Sequence, residues 1–166
     1  MTQATDPILV LTTGGTIDKL YFDALSEYKI GESIITRILE TARVTQPVEI
    51  REVLRKDSLD LNDADRALIA DAVADAASRR VVITHGTDTM THTAQALGDV
   101  AGKTVVLVGA LAPARFAESD ATFNLGMAFA TAQVAPPGVY ITMNGTVFRA
   151  DAVVKDRERG AFVSKA

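Results

Sequence analysis

This sequence predicts a doubly wound α/β fold, a mostly parallel sheet with helices on both faces. Two observations carry the prediction. Short apolar runs of β-type residues alternate with longer segments of helical period along the chain. The composition, 48% apolar and 23% charged over 166 residues, is that of an ordinary globular protein. Domains typically hold about 100–200 residues, so a single domain over residues 1–166 is expected. No repeat, low-complexity segment or internal linker interrupts it.

Each element follows from its local pattern. Ile8–Leu11 (ILVL) reads as a buried strand that runs into Thr12-Thr13-Gly14-Gly15. Ile34, Ile35, Ile38, Leu39 and Ala42 share one face of a helix, with Ser33 as its N-cap. Val48–Leu54 is a second strand. Asn62 caps an alanine-rich helix whose core face is Leu68, Ile69, Ala72, Val73 and Ala76. Val81–Thr84 is the third strand, Met90–Val100 a helix and Thr104–Val108 the fourth strand. Asp120 opens a helix with Leu125, Ala128, Phe129 and Ala132 on one face, and Val139–Met143 is the fifth strand. Residues 145–155 read as a C-terminal β-hairpin with a polar turn around Arg149–Asp151. Ile17–Gly31 and Leu111–Ser119 are long irregular segments, each a surface connection or a binding loop. Right-handed crossovers between parallel strands favour a flavodoxin-like sheet.

Composition excludes several classes of function. With no cysteine there is no disulfide and no thiolate chemistry. The segment Met1–Pro7 lacks the basic and apolar regions of a secretory signal, so a cytoplasmic protein is expected. Apolar runs such as Val105–Val108 fall far short of the ~20 residues a membrane span needs. The net charge is −4, and the 17 basic side chains are not concentrated in any stretch. Aromatics make up 5% with no tryptophan. A nucleic-acid partner is therefore not expected.

Ligands of a doubly wound sheet bind beyond the carboxyl ends of its strands, where the strand order reverses. The loops after the first three strands should meet there. They read Thr12-Thr13-Gly14-Gly15-Thr16-Ile17, Lys56-Asp57-Ser58-Leu59-Asp60 and Thr84-His85-Gly86-Thr87-Asp88-Thr89-Met90. Glycines let backbone N–H groups approach a ligand, and hydroxyls act as nucleophiles or hydrogen-bonding groups. Singly, each loop has a plainer reading. TTGGT is also a tight turn or a phosphate cradle. Asp88 and Thr89 are also an N-cap for the helix beginning at Met90. Lys155 alone is a solvated lysine. A metal site would need His85, Asp88 and His92, whose spacing does not match a helical ligand pair.

Taken together, TTGGTI, DSLDLND, THGTDTM, VGALAP and NGTV resemble the bacterial-type L-asparaginases, from about Ile8 to Lys155. The resemblance is to that family's N-terminal, flavodoxin-like domain, and the usual second domain is not represented. It implies that Thr16 is the nucleophile, with Thr87, Asp88 and Lys155 as the second catalytic group. It implies that Ser58 binds the substrate α-carboxylate, that Asp88 also holds the α-ammonium group, and that Gly15 and Gly86 shape the loops. Leu59 stands where longer secreted members carry glutamine, which removes one hydrogen bond to substrate. The family's tyrosine corresponds to Tyr21 or Tyr28, with Tyr21 favoured by its short tether to Thr16.

The implied chemistry is hydrolysis of L-asparagine to L-aspartate and ammonia through a β-aspartyl ester. A threonine hydroxyl needs activation, and a buried Lys155 could take a proton from Thr87 while Asp88 orients the lysine. Backbone N–H groups near Thr87 would stabilise the oxyanion. No metal or organic cofactor is needed. The alternatives are a broader glutaminase-asparaginase, whose substrate differs by one methylene, and a non-catalytic amino-acid-binding or sensor module. A mean hydropathy of +0.16 at this size points to apolar surface buried between subunits, as a homodimer or dimer of dimers.

Overall fold

The computed structural model describes residues 6–22, 27–31 and 33–166. The chain begins with β1 (Ile8–Gly14), then pairs β2 (Lys19–Phe22) with β3 (Glu27–Ile30) and continues into α1 (Ile35–Thr41). Next come β4 (Val48–Lys56), α2 (Asp63–Asp75), β5 (Arg80–Thr84), α3 (Met90–Ala96), β6 (Thr104–Val108) and α4 (Ala121–Val134). The last elements are β7 (Gly138–Met143), β8 (Thr146–Arg149), β9 (Val153–Asp156) and β10 (Ala161–Ser164).

The main sheet runs β4-β1-β5-β6-β7-β8. Its first five strands are parallel and β8 is antiparallel. The parallel part has the flavodoxin order, and its direction of travel reverses beside β1. The carboxyl ends of β1, β4 and β5 therefore border one crevice.

Side-chain alternation along the strands builds a core on each face. Leu9, Leu11, Val81, Ile83, Val105 and Leu107 point to the side covered by α2 and α3, against Ile69, Val73 and Ala94. Ile8, Val10, Val82, Val106 and Val108 point to the opposite side, against Ile35 and Ile38 of α1 and Leu125, Ala128 and Phe129 of α4. All residues of β1 and β6 are buried, which is why these strands read as unbroken apolar runs.

Helix starts follow the expected chemistry with three adjustments. Asn62 and Asp65 form a reciprocal capping box at α2. Ser33 is not the N-cap of α1: that position is Ile34, which makes no side-chain cap bond, and Ser33 Oγ, one residue earlier, accepts from the Ile35 N–H at 3.3 Å. Leu68, placed on the α2 core face by its spacing, is instead 52% exposed. The helix beginning at Met90 ends at Ala96 rather than reaching Val100, because the chain turns at Gly98 with φ 58°.

Two segments differ from expectation. Among its described residues Ile17–Gly31 is not irregular, since β2 and β3 form an antiparallel pair with Tyr21 opposite Tyr28, while residues 23–26 lie outside the described residues. A C-terminal hairpin is present, but it pairs β9 with β10. Residues 145–155 do not fold on themselves around Arg149–Asp151. Asn144 and Gly145, with φ 47° and 91°, make the tight turn that returns β8 onto β7. At Ala150–Ala152 a 3₁₀ turn takes the chain off the sheet. Val153 of β9 and Phe162 of β10 then bury themselves on the α2–α3 face.

Asp120 stands at the start of α4, but its carboxylate makes no N-cap bond there. It accepts from the Leu111 and Ala112 N–H groups, from Asn124 Nδ2 and from Asn144 Nδ2, at 2.8–3.1 Å. Partial burial pushes this carboxyl up, but these donors outweigh it and hold it below its ordinary value. A depressed carboxyl stabilises the fold above its unfolded pKa, and the contribution is lost as pH falls through the folded value. Asp120→Asn is expected to lower stability by about 1–3 kcal/mol at pH 7. The gap should narrow below about pH 3.8, as denaturant titrations at the two pH values will show.

Candidate active site

Three loops meet where the strand order reverses, and glycine makes the meeting possible. Gly15 has φ 87°, and a Cβ there would overlap the backbone nitrogen of Gly86. A Cβ on Gly86 would lie 2.6 Å from Ser58 Oγ. The loops after β1 and β5 are thus stacked backbone against backbone, and the Ser58 side chain of the loop after β4 packs on Gly86. The Gly15 N–H donates to Lys56 O at 3.0 Å, fixing the first loop to the end of β4. Thr16 begins a 3₁₀ turn, Thr16–Asp18, and is half-buried.

Lys155 enters from β9. Its Nζ donates to Thr87 Oγ1 at 2.8 Å and to Asp88 Oδ1 at 2.7 Å. The lysine side chain is only 13% exposed and Asp88 is 37% exposed, so Asp88 keeps an open side. Lys155 is not a solvated surface lysine. Asp88 does not cap α3 either: Thr89 occupies the N-cap position, without a side-chain cap bond. The Thr89 hydroxyl donates instead to Ser58 O at 2.7 Å, tying the third loop to the second.

Ser58 is 1% exposed, and its Oγ has no hydrogen-bond partner among the described residues. A buried hydroxyl of this kind is costly unless something else satisfies it. The turn holding it is capped by Asp57, which accepts the Leu59 N–H at 3.1 Å and pairs with Lys19 Nζ at 3.0 Å. Partial burial pushes the Asp57 carboxyl up, but Leu59 N–H and Lys19 more than offset it, so it lies below its ordinary value. Leu59 itself is 62% exposed.

Tyr21 and Tyr28 share the β2–β3 hairpin, with ring centroids 5.3 Å apart. Tyr28 also meets Phe116 of the β6–α4 loop edge-on at 5.9 Å. Direct pairing across the strands cancels the tether argument for Tyr21, because Tyr28 is brought back to the same place. Local sequence does not predict the Lys19–Asp57 pair or the Thr89–Ser58 bond. Both join residues distant in sequence, and only the hydroxyl- and carboxylate-rich loop composition hinted at them.

His85 and His92 do not come together. His92 is exposed, whereas His85 is fully buried. The His85 Nδ1 lies 2.7 Å from Gly86 O, and Nε2 lies 2.7 Å from Thr93 Oγ1. A carbonyl only accepts, so Nδ1 carries the proton and Nε2 accepts from Thr93. Burial lowers the imidazole pKa to about 4. His85 is a structural brace under the Gly86–Thr87 loop.

A flavodoxin-order sheet with a threonine–lysine–aspartate cluster at its reversal point is an arrangement that can support nucleophilic or proton-transfer chemistry. The chain belongs to the family described as "Asparaginase, N-terminal", whose model matches residues 7–165. It is 33% identical over 163 residues to an L-asparaginase of Thermococcus kodakarensis, covering 92% of this chain and 48% of that protein. It is 33% identical over 159 residues to L-asparaginase 2 of Escherichia coli, covering 89% and 46%. The solved structure of the thermostable T. kodakarensis L-asparaginase superposes with a TM-score of 0.84 at 31% identity, over 95% of this chain and 51% of that one. The chain spans about half the length of the curated relatives it matches. No helix among the described residues is long and apolar enough to cross a membrane.

The His85 assignment can be checked directly. A depressed histidine pKa means that stability is full above pH 6.5 and declines as pH falls from there towards about 4. Nitrogen-15 NMR at pH 5.5 is expected to show His85 neutral, with the proton on Nδ1. An imidazolium signal at that pH would contradict it.

Proposed function

We propose that this chain hydrolyses the side-chain amide of L-asparagine to L-aspartate and ammonia. One observation carries the reading: Lys155 Nζ lies 2.8 Å from Thr87 Oγ1 and 2.7 Å from Asp88 Oδ1, across 68 and 67 residues of sequence. An amino-acid-binding or sensor module would have no use for a lysine buried against a threonine hydroxyl. Membership of the asparaginase family supports the same reading.

In this reading Thr16 Oγ1 attacks the amide carbon, ammonia leaves, and water hydrolyses the β-aspartyl ester. Thr87 and Lys155 move protons, and Asp88 holds the lysine. Backbone N–H groups near Thr87 stabilise the oxyanion, a contribution worth about 2.7–4 kcal/mol per donor in other enzymes. Ser58 Oγ, buried and unpartnered, binds the substrate α-carboxylate, while the open side of Asp88 meets the α-ammonium. Leu59 adds no hydrogen bond from its side chain. Tyr21 or Tyr28 closes over Thr16. A homodimer or dimer of dimers is part of the proposal, supported by Phe123 and Val134, which leave 62% and 81% of their surface exposed on α4.

EDTA-treated protein is expected to release ammonia from millimolar L-asparagine. No turnover by folded protein would end the proposal, and glutamine in parallel measures the breadth of the amidase. Thr16→Ala and Lys155→Ala should each lower kcat by about 10³–10⁴-fold without unfolding the domain. A change below twofold in Lys155→Ala would remove that residue from the mechanism. Ser58→Ala should raise KM by about 10-fold or more, the loss of one hydrogen bond to a charged group. Light scattering at micromolar concentration should give a mass above the 17.6 kDa of one chain. A fully active 17.6 kDa particle would refute the assembly.

A further inference from the structure

Asp18 is a buried acid that the proposed chemistry leaves unused. It is 1% exposed and closes the 3₁₀ turn that Thr16 begins. Its N–H donates to Gly15 O at 3.1 Å, and the N–H of Lys19 donates to Thr16 O. Its carbonyl accepts from the Gly31 N–H and from Arg115 Nη1, each at 3.0 Å. Its carboxylate Oδ1 accepts from the Ile34 N–H at 2.9 Å. Those partners come from the Thr16 turn, the end of β3, the entry to α1 and the β6–α4 loop. The same β6–α4 loop donates the Ala114 N–H to Ile17 O at 3.1 Å.

Simple helix capping does not account for this carboxylate. Ser33 already supplies a hydroxyl to the first turn of α1. Burial pushes the Asp18 carboxyl above its ordinary value, and the Ile34 N–H and the Ser33 hydroxyl offset only part of that. What the side chain achieves is a bond across 16 residues, from the turn carrying Thr16 to the entry of α1, four residues beyond the end of β3.

We propose that Asp18 is a positioning residue: its carbonyl holds the end of β3 and its carboxylate holds the entry of α1 against the Thr16 turn, so that the β2–β3 pair with Tyr21 and Tyr28 is anchored to Thr16 from both sides. The proposal rests on the reading of Thr16 as nucleophile. Without the carboxylate, the Ile34 N–H is left buried with no acceptor, and the end of β3 keeps only its backbone bond to the turn. A nucleophile displaced by about 1 Å can lose about 10²-fold in rate.

Asp18→Ala and Asp18→Asn in the full chain separate positioning from bulk stability, because asparagine keeps a carbonyl oxygen for Ile34. Asp18→Ala is expected to lower kcat by about 10–100-fold while KM changes less than about threefold. Asp18→Asn should stay within about threefold of the unmodified protein in kcat. Limited trypsin digestion below the unfolding transition should cut after Lys19 and Lys29 several-fold faster in Asp18→Ala than in the other two proteins. Unchanged kcat in Asp18→Ala, equal impairment in Asp18→Asn, or unchanged cleavage would overturn the proposal. If Asp18→Ala fails to fold, Arg115→Met takes its place by removing the second side-chain bond at Asp18. It should show faster cleavage and a two- to tenfold fall in kcat, and unmodified behaviour in both would overturn the proposal. Failure of the unmodified protein to release ammonia would sink the functional reading alone, because the cleavage comparison needs no activity.

Discussion

The contact between Gly15 and Gly86 is the constraint on which the site depends. Two backbones touch there, and the Ser58 side chain lies against Gly86. Any side chain at either glycine would push the loops apart and separate Thr16 from Thr87 and Ser58. The flavodoxin strand order brings these loop ends to one crevice, but it sets their spacing only coarsely. Two absent side chains bring the loops the rest of the way. The site is therefore dense with backbone, which explains why so many of its bonds run from side chain to main chain, as from Thr89 to Ser58 and from Asp57 to Leu59.

Lys155 completes the cluster from outside the main sheet. Beyond β8 the chain leaves the sheet, and β9 is held by β10 and by the burial of Val153 and Phe162 against the α2–α3 core. The lysine thus reaches the loops on a separate two-stranded support. Burying its ammonium is tolerable because Asp88 pairs with it and Thr87 accepts a second bond. The opposite wall is held by a different polar system. Asp120, Asn124 and Asn144 fix the start of the β6–α4 loop, whose later residues Ala114 and Arg115 bond to Ile17 and Asp18.

The parts of the fold legible in the sequence are those where burial is strong. Strands β1, β5, β6 and β7 are legible because burial keeps them largely apolar, whereas the mostly exposed β4 is legible only from Val48, Ile50, Val53 and Leu54. The Asn62 cap and the α4 core face were read for similar reasons, since a single local rule decides each. The β2–β3 pairing is not legible because Tyr21, Glu27, Tyr28 and Lys29 are exposed, which leaves no alternation of buried and exposed residues to detect. The C-terminal pairing differs from the sequence expectation because Asn144-Gly145, and not the polar Arg149–Asp151 segment, makes the reversing turn. Within the site, Thr16, Ser58, Thr87, Asp88 and Lys155 were identified through motifs. Asp18 and Lys19 have no such signal, and Asp57, although inside DSLDLND, carries no role there, because an acid or a lysine in a loop looks solvated until its distant partner is known.

The aromatic pair on the hairpin gives the molecule a built-in optical reporter. The chain has three tyrosines and no tryptophan. Tyr140 is buried, with its hydroxyl donating to Pro136 O, so its emission is set by the α4 side of the core. Tyr21 and Tyr28 are about half exposed and lie against each other beside Thr16's turn. Intrinsic fluorescence of the unlabelled protein therefore comes mostly from the hairpin. A change in quantum yield or anisotropy on adding an amino acid registers there, without a dye or an inserted fluorophore.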